Sequence, residues 1–224
     1  LGAHVSISGK IYLAIERAKK IGCECLQIFV GNPRQWRPVH YPEEDLETFR
    51  RLRGEAGLDP LVAHTPYLIN LASPDPFFYR NSINALTFNL QVIECLGGLG
   101  AVTHIGSRRG TPWSEARGRV VRAVARALDA TSSSLVLLEQ SAGSGDHVGA
   151  TFAELGEILE GLDWHPRVGI CLDSAHLFAA GWDLSNPSGL NEMLQAFGAA
   201  IGLDRLKLFH LNDSQAPLGS HVDR

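Results

Sequence analysis

Five residues of types that commonly bind metals are spread along the chain, and each comes directly after a short apolar run. They are His64, His104, Glu139, Asp173 and His210. Imidazole nitrogens and carboxylate oxygens suit zinc and also tolerate manganese or iron. Divalent metals held in such a group acidify a bound water and stabilise negative charge on oxygen. Because one metal cluster accounts for all five positions at once, the pattern predicts such a cluster.

Two further residues extend the candidate cluster. His176 lies three residues after Asp173, and Asp223 lies in the last loop of the sequence. A single His at a strand end would be interpreted as a hydrogen-bonded core or rim residue, but five potential ligands at equivalent positions of five strands favour a shared site. His4 is expected to orient a ligand from behind. Three other histidines are expected to be solvated: His40, His147 and His165.

Short apolar runs that alternate with longer helical patterns must position these side chains. The runs predict seven buried strands at 3–5, 26–30, 61–63, 101–103, 135–138, 168–172 and 206–209, each followed by a helix. Strands buried on both faces and separated by helices imply a parallel sheet, either doubly wound or closed into a barrel.

The positions of the polar residues favour the barrel. In a (β/α) barrel, functional side chains come from the C-terminal ends of many strands and meet at one face. A doubly wound sheet would commonly carry a glycine-rich phosphate loop, and neither GxGxxG nor GxxxxGK[ST] follows any strand. We therefore predict an α/β fold of the TIM (β/α)8 type, with residues 1–224 as a single domain.

Composition limits the remaining possibilities. The 224 residues are 45% hydrophobic, which is enough for one substantial core. No apolar run approaches the roughly 20 residues of a membrane span, and the first ten residues lack the order of a signal peptide, so a cytoplasmic protein is expected. The net charge of −4 argues weakly against DNA binding, but bound metals would reverse the local field. The four cysteines are interpreted as reduced packing residues.

Six segments have distinctive sequences: GAHVS (2–6), NPRQW (32–36), AHTPYLINLAS (63–73), LEQSAG (138–143), LDSAHLFAAGWD (172–183) and HLNDSQAPLGSHVDR (210–224). Together they resemble the endonuclease IV family, the abasic-site endonucleases of base-excision repair within the xylose isomerase-like superfamily. They occur in the family's order along the whole chain. HIGS (104–107), LEQSAG and Ala175 depart from the usual pattern, but none of these departures removes a ligand.

The resemblance implies a cluster of three zinc ions, in which Glu139 bridges the first two. The other ligands implied for the first, second and third metals are His64 with His104, Asp173 with His210, and His176 with Asp223. Glu139 and Asp173 would be the catalytic carboxylates. The family's pattern has two more ligands, a His just after the DR of HVDR and a Glu that ends an eighth strand. Both lie beyond Arg224, so we expect a chain truncated at its C-terminus that lacks the eighth strand and helix.

The resemblance also implies a substrate, double-stranded DNA with an abasic site. Incision 5′ to the lesion would leave a 3′-hydroxyl and a 5′-deoxyribose phosphate. Arg34, Gln35 and Tyr67 match family positions that push into the DNA stack. Phosphates could be met by Lys10, Arg37, Arg108 and Arg109.

Two alternatives remain open at this stage. A sugar isomerase or epimerase on the same barrel would use one or two metals and a small closed pocket. A truncated chain could instead bind metal or abasic DNA without cutting it. The enzyme itself is expected to act as a monomer, with zinc, or with manganese or iron in its place.

Overall fold

One parallel sheet organises the molecule, whose computed structural model describes residues 1–223. Within that range the sheet has seven strands in sequential order: β1 Gly2–His4, β2 Cys25–Phe29, β3 Leu61–His64, β4 Gly100–His104, β5 Leu135–Glu139, β6 Val168–Asp173 and β7 Leu206–His210. Every neighbouring pair is parallel. The predicted class, α/β with a parallel sheet, is confirmed.

Helices connect the strands and cover one face of the sheet. The helices of residues 1–223 are α1 Leu13–Lys20, α2 Glu43–Ala56, α3 Pro76–Cys95, α4 Trp113–Asp129, α5 Phe152–Gly161, α6 Ser174–Ala179 and α7 Pro187–Ala200, with a 3-10 turn at Leu203–Arg205. The predicted helix is present after each strand from β1 to β6, and two helices, α6 and α7, lie between β6 and β7. The short α6 begins at Ser174, and Asp173, the last residue of β6, is its N-cap.

Side chains on the strands alternate between two environments. On β2, Leu26 and Ile28 are buried in a large core shared with the helices, while Gln27 and Phe29 line a cleft on the other face. This period of two is the geometry of any β-strand. The large core contains the fully buried Phe49 of α2.

A second, smaller apolar layer lies inside the curled sheet. It consists of the buried side chains Val62, Val102, Leu137 and Cys171. Each precedes a predicted ligand on its own strand by two residues, so it points to the same face one level lower. The layer forms an apolar floor beneath the candidate ligands.

The strand ends differ from the prediction by one residue. His64, His104, Glu139, Asp173 and His210 were predicted to follow their strands, and each is instead its strand's last residue. The reason is that a strand ends where the hydrogen-bond ladder ends, not where the apolar run ends. Phe29 pairs with His64, His104 with Glu139 and Asp173 with His210 across neighbouring strands.

The cysteines only partly follow their interpretation as packing residues. All four are free thiols; Cys171 is buried, but Cys95 is exposed at the end of α3. Across the described residues, no helix combines the length and apolar character that crossing a bilayer requires.

Candidate metal centre

The seven predicted ligands meet at the C-terminal ends of the strands. They line one cleft of about 630 Å³: His64, His104, Glu139, Asp173, His176, His210 and Asp223. Five end a strand, His176 lies on α6, and Asp223 lies in the terminal loop. We call His64 and His104 the inner pair, and His176 and Asp223 the outer pair.

Glu139 is the centre of the cluster and is almost completely buried, with 2% of its surface exposed. Its Oε2 lies 3.1 Å from the Nε2 atoms of both His64 and His104, and its Oε1 lies 2.9 Å from His210 Nδ1. Burial by itself would raise the pKa of Glu139. Hydrogen bonds from these three imidazoles outweigh burial and hold that pKa well below its usual value. The carboxylate is therefore ionised and faces several ligand nitrogens.

Hydrogen bonds fix the orientation of His64. Its Nδ1 donates to the carbonyl oxygen of Thr65 at 2.8 Å, because a carbonyl can only accept. The other ring nitrogen, Nε2, consequently faces Glu139. Burial lowers the pKa of His64, but the neighbouring Glu139 carboxylate raises that pKa by more than burial lowers it, so the net shift is upward. A backbone acceptor behind the ring is typical of a metal-binding His.

Asp173 has two roles at the junction of β6 and α6. Its Oδ1 accepts hydrogen bonds from the backbone N–H groups of Ala175 and His176, at 2.8 and 3.1 Å. Such capping satisfies donors that a helix start leaves free. Its Oδ2 lies 3.7 Å from His210 Nδ1 and accepts from the Asn212 amide. One carboxylate thus starts the helix and faces the cluster.

The outer pair combines a buried ring with a partly exposed carboxylate. His176 Nδ1 donates to the Gln140 carbonyl oxygen at 2.7 Å, and its Nε2 lies 3.4 Å from Asp223 Oδ1. Burial lowers the pKa of His176, but Asp223 and the other carboxylates raise it to about 9. The same ion pair lowers the pKa of Asp223, whose side chain is 53% exposed.

The donor atoms fit divalent metals. Three groups place their ligand atoms within 4.8 Å of one another: His64–His104–Glu139, Glu139–Asp173–His176 and Glu139–Cys171–His210. The first group matches the ligands that were predicted for the first metal. The second brings His176 close to Glu139 and Asp173, although the sequence associated it with Asp223 alone. The Cys171 thiol is kept protonated because burial raises its pKa well above its usual value.

Sequence reasoning missed two side chains that contact the ligands. Gln27 lies 2.9 Å from His210 Nε2, and Asn212 donates to Asp173. A signal for Gln27 was available, since it is a polar residue between two buried positions of β2. His4 was expected to support a ligand directly; it contacts Gln27 instead, at 3.1 Å.

Of the three predicted DNA-contacting residues, Tyr67 lines the cleft, and Gln35 lines a neighbouring pocket that shares Phe29 and His64 with it. Arg34 and Gln35 are exposed, and the Tyr67 side chain is 57% exposed. The Tyr67 backbone N–H donates to the Pro33 carbonyl oxygen at 3.0 Å, which joins the two loops. The Tyr67 ring also lies 6.1 Å from the His64 ring. The Tyr67 ring therefore lies beside the inner pair, and its loop is joined to the loop that carries Arg34.

The candidate phosphate contacts divide into two classes. Lys10 pairs with Asp45 at 2.8 Å and Arg108 with Asp146 at 3.2 Å, so carboxylates already neutralise them. Arg37 and Arg109 are exposed and, within residues 1–223, form no ion pair.

The three histidines that were expected to be solvated mostly are. His40 and His147 are exposed. His165 is partly buried, contrary to expectation, because its Nδ1 accepts from the Arg167 backbone N–H.

A parallel α/β sheet with a His, Asp and Glu cluster at its C-terminal edge defines a class of barrel. The family whose profile matches residues 15–224 is described as xylose isomerase-like TIM barrel. The chain is 42% identical to a probable endonuclease 4 of Methanosphaerula palustris, over 100% of this chain and 80% of that protein. It is 39% identical to a probable endonuclease 4 of Halothermothrix orenii, over 100% of this chain and 81% of that protein. The chain belongs to the endonuclease IV family.

Solved structures show the same relationship. Endonuclease IV from Thermus thermophilus superposes with a TM-score of 0.88 and 35% identity, covering 100% of this chain and 81% of that one. A 3-keto-D-glucoside 4-epimerase from E. coli superposes with a TM-score of 0.69 at 17% identity, covering 94% and 78% of the two chains. The second likeness is one of fold alone.

Proposed function

We propose that the protein is a zinc-dependent endonuclease that cuts double-stranded DNA at abasic sites during base-excision repair. It would hydrolyse the phosphodiester 5′ to the lesion and leave a 3′-hydroxyl and a 5′-deoxyribose phosphate. The observation that carries the proposal is the convergence of seven nitrogen and oxygen ligands on one cleft around Glu139. Membership of the endonuclease IV family supports the DNA substrate.

The proposed metal ligands are the seven side chains of the cleft. Glu139 would be shared between metals, because its two carboxylate oxygens face different imidazoles. Zinc held there supplies an acidified water and charge stabilisation on the phosphate. Manganese or iron would tolerate the same donors.

The protein's own residues would orient the phosphodiester and exclude bulk water. Glu139 and Asp173 are the proposed catalytic carboxylates, since both are buried and both reach the cluster. An abasic site offers no base to read, so recognition depends on a duplex that deforms easily and on extruding the sugar. Tyr67, whose loop is joined to the loop of Arg34 and Gln35, would wedge into the stack.

A direct experiment compares three substrates with the purified protein in the presence of zinc. We expect incision of a duplex with one abasic site, and no incision of the same duplex with a normal base. A polymerase should extend the nicked strand, because the product ends in a 3′-hydroxyl. Turnover of a ketose with the abasic duplex left intact would overturn the proposal in favour of a sugar epimerase. Retention of the abasic duplex in a gel without scission would leave a binding protein only.

DNA-contact variants separate recognition from chemistry. Arg34→Ala and Tyr67→Ala should weaken binding to the abasic duplex while zinc content stays that of the parent protein. Arg51→Ala is a matched control, because Arg51 is an exposed arginine of α2 paired only with Glu55. Equal binding by all three variants would remove Arg34 and Tyr67 from the proposed interface.

A further inference from the structure

Gln27 connects two strands that do not pair with each other in the sheet. It lies on β2, and its side-chain Oε1 is 2.9 Å from Nε2 of His210 on β7. In the sequential order of the sheet, four other strands separate β2 from β7. Strand alternation turns Gln27 into the cleft, away from its buried neighbours Leu26 and Ile28. This amide is therefore in direct contact with a proposed metal ligand.

The contact would decide which nitrogen of His210 keeps its proton once a metal is bound. His210 Nδ1 faces the cluster, 2.9 Å from Glu139 Oε1 and 3.7 Å from Asp173 Oδ2. A metal at that position needs the lone pair of Nδ1, so the ring proton must be on Nε2. An amide oxygen can only accept a hydrogen bond, and the Gln27 oxygen is placed to accept one from Nε2–H.

His4 fixes the direction of the Gln27 amide. The two residues are register partners on β1 and β2, and Gln27 Nε2 lies 3.1 Å from His4 Nδ1. The amide nitrogen donates to His4, which turns the amide oxygen towards His210. The His4 ring packs on Phe29, with 4.3 Å between ring centroids. A reversed amide would set its own N–H donor against the Nε2–H of a metal-bound His210.

His210 differs in this respect from two other proposed ligands. His64 and His176 donate to backbone carbonyl oxygens, of Thr65 and Gln140. A backbone acceptor remains whatever side chain occupies the position. The acceptor for His210 is a side chain, so one substitution can remove it.

We propose that Gln27 is a positioning residue that holds His210 with Nε2 protonated and Nδ1 directed at Glu139 and Asp173. The inference rests on the proposed function, because it assumes that His210 binds a metal. Gln27 does not touch the substrate; it acts through His210. Outer partners of this kind typically contribute about 10-fold to 100-fold in metal affinity.

Three variants test the proposal. Gln27→Leu keeps the approximate size of the side chain but removes the hydrogen-bond acceptor. We expect it to lower the zinc affinity of the most affected binding step by about 10-fold or more. Gln27→Glu keeps an acceptor oxygen, so its zinc affinity should stay close to that of the parent protein. Gln91→Leu is the control, because Gln91 is an exposed glutamine of α3 outside the cleft. Stepwise zinc affinity is measured by competition with a chelator.

A second readout reports the tautomer directly. In the zinc-loaded parent protein, nitrogen NMR should show a His210 Nε2–H signal that is slow to exchange, and this signal should be lost or shifted in Gln27→Leu. Circular dichroism checks that each variant is folded. If Gln27→Leu fails to fold, Gln27→Glu and His4→Phe still test the role. His4→Phe keeps the ring that packs on Phe29 and should give a smaller loss of affinity.

The outcomes distinguish this proposal from the proposed function. Parent affinity and an unchanged Nε2–H signal in Gln27→Leu would overturn the role of Gln27, as would a Gln27→Glu variant as weak as Gln27→Leu. Incision of abasic DNA by the parent protein is measured separately. Zinc binding without incision would overturn the proposed function and leave the role of Gln27 standing. A parent protein that binds no zinc would overturn both.

Discussion

The inner and outer pairs of the cluster are built in different ways. His64 and His104 end the neighbouring strands β3 and β4, and His64 is only 7% exposed. Asp223 lies in a loop with 53% of its side chain exposed, and it meets His176 at 3.4 Å. Both inner imidazoles contact Glu139 at 3.1 Å.

The difference teaches where the cluster is rigid and where it can adapt. Ligands on strand ends are held in place by the hydrogen bonds of the sheet. Exposed loops unfold locally at a lower free energy, so a ligand in such a loop is held less firmly. We therefore expect the inner pair to bind a metal in a preformed geometry. The outer pair should adjust more to metal and substrate.

Glu139→Gln should have the largest effect, because it removes the charge that both oxygens present to the imidazoles. We expect the incision rate to fall by more than about 100-fold and zinc to be lost from the inner pair. This loss exceeds the usual effect of removing a residue that only hydrogen-bonds to a metal ligand. Incision kinetics and metal analysis measure this, and circular dichroism checks the fold. Glu160→Gln, at an exposed glutamate of α5, is the control. Surviving activity would show that Glu139 is not the bridging ligand.

His64→Ala should come next. It removes a preformed ligand and leaves a buried Glu139 oxygen with one partner fewer. We expect zinc affinity to fall by at least about 10-fold and the free energy of unfolding to decrease by about 1–3 kcal/mol. Chelator competition and denaturant unfolding give the two values. An unchanged affinity would contradict the view of the inner pair as the rigid end.

Asp223→Asn should be milder than His64→Ala in both measurements. Asp223 is about half exposed, so solvent screens its ion pair and the free energy of unfolding should change by less than about 1 kcal/mol. Zinc affinity should fall by less than in His64→Ala. A larger loss than in His64→Ala would reverse the comparison.

The last prediction concerns the stability of the metal-free protein as pH changes. The pKa of His176 is raised to about 9, so its charged form is favoured by the folded state. The resulting stability is fully present below about 6.5, the ordinary value, and is lost as pH rises through about 9. Thermal unfolding of chelator-treated protein should show this decline. Asp223→Asn should flatten the curve, and an equally steep curve would exclude that ion pair as its cause.

Much of the fold follows from the sequence because strands and helices leave strong local patterns. The apolar runs around Leu137 and Ile170 identify buried strands without any knowledge of their neighbours. The side chains behind those runs were then expected to meet, because parallel strands end at one edge. The strand ends were off by one residue since the ladder extends into polar residues such as Glu139.

The contacts of Gln27 and Asn212 could not be obtained in the same way. Gln27 meets His210 across 183 positions of sequence, and no local pattern identifies that partner. Asn212 follows β7 in an exposed segment and meets Asp173 of another strand. Such pairs depend on how far the sheet curls, which is a property of all the strands together.

His104 pairs with Glu139, and Asp173 pairs with His210, across neighbouring strands, so the sheet sets the distances between these side chains. Neighbouring strands lie about 4.7–4.9 Å apart, so the spacing of the ligands is inherited from the backbone and not from side-chain fit. Inserting or deleting one residue in β5 would turn Glu139 to the opposite face. Over evolutionary time, loops that carry no proposed ligand or DNA contact can therefore change length more readily than the strands, which can exchange residues but not gain or lose them.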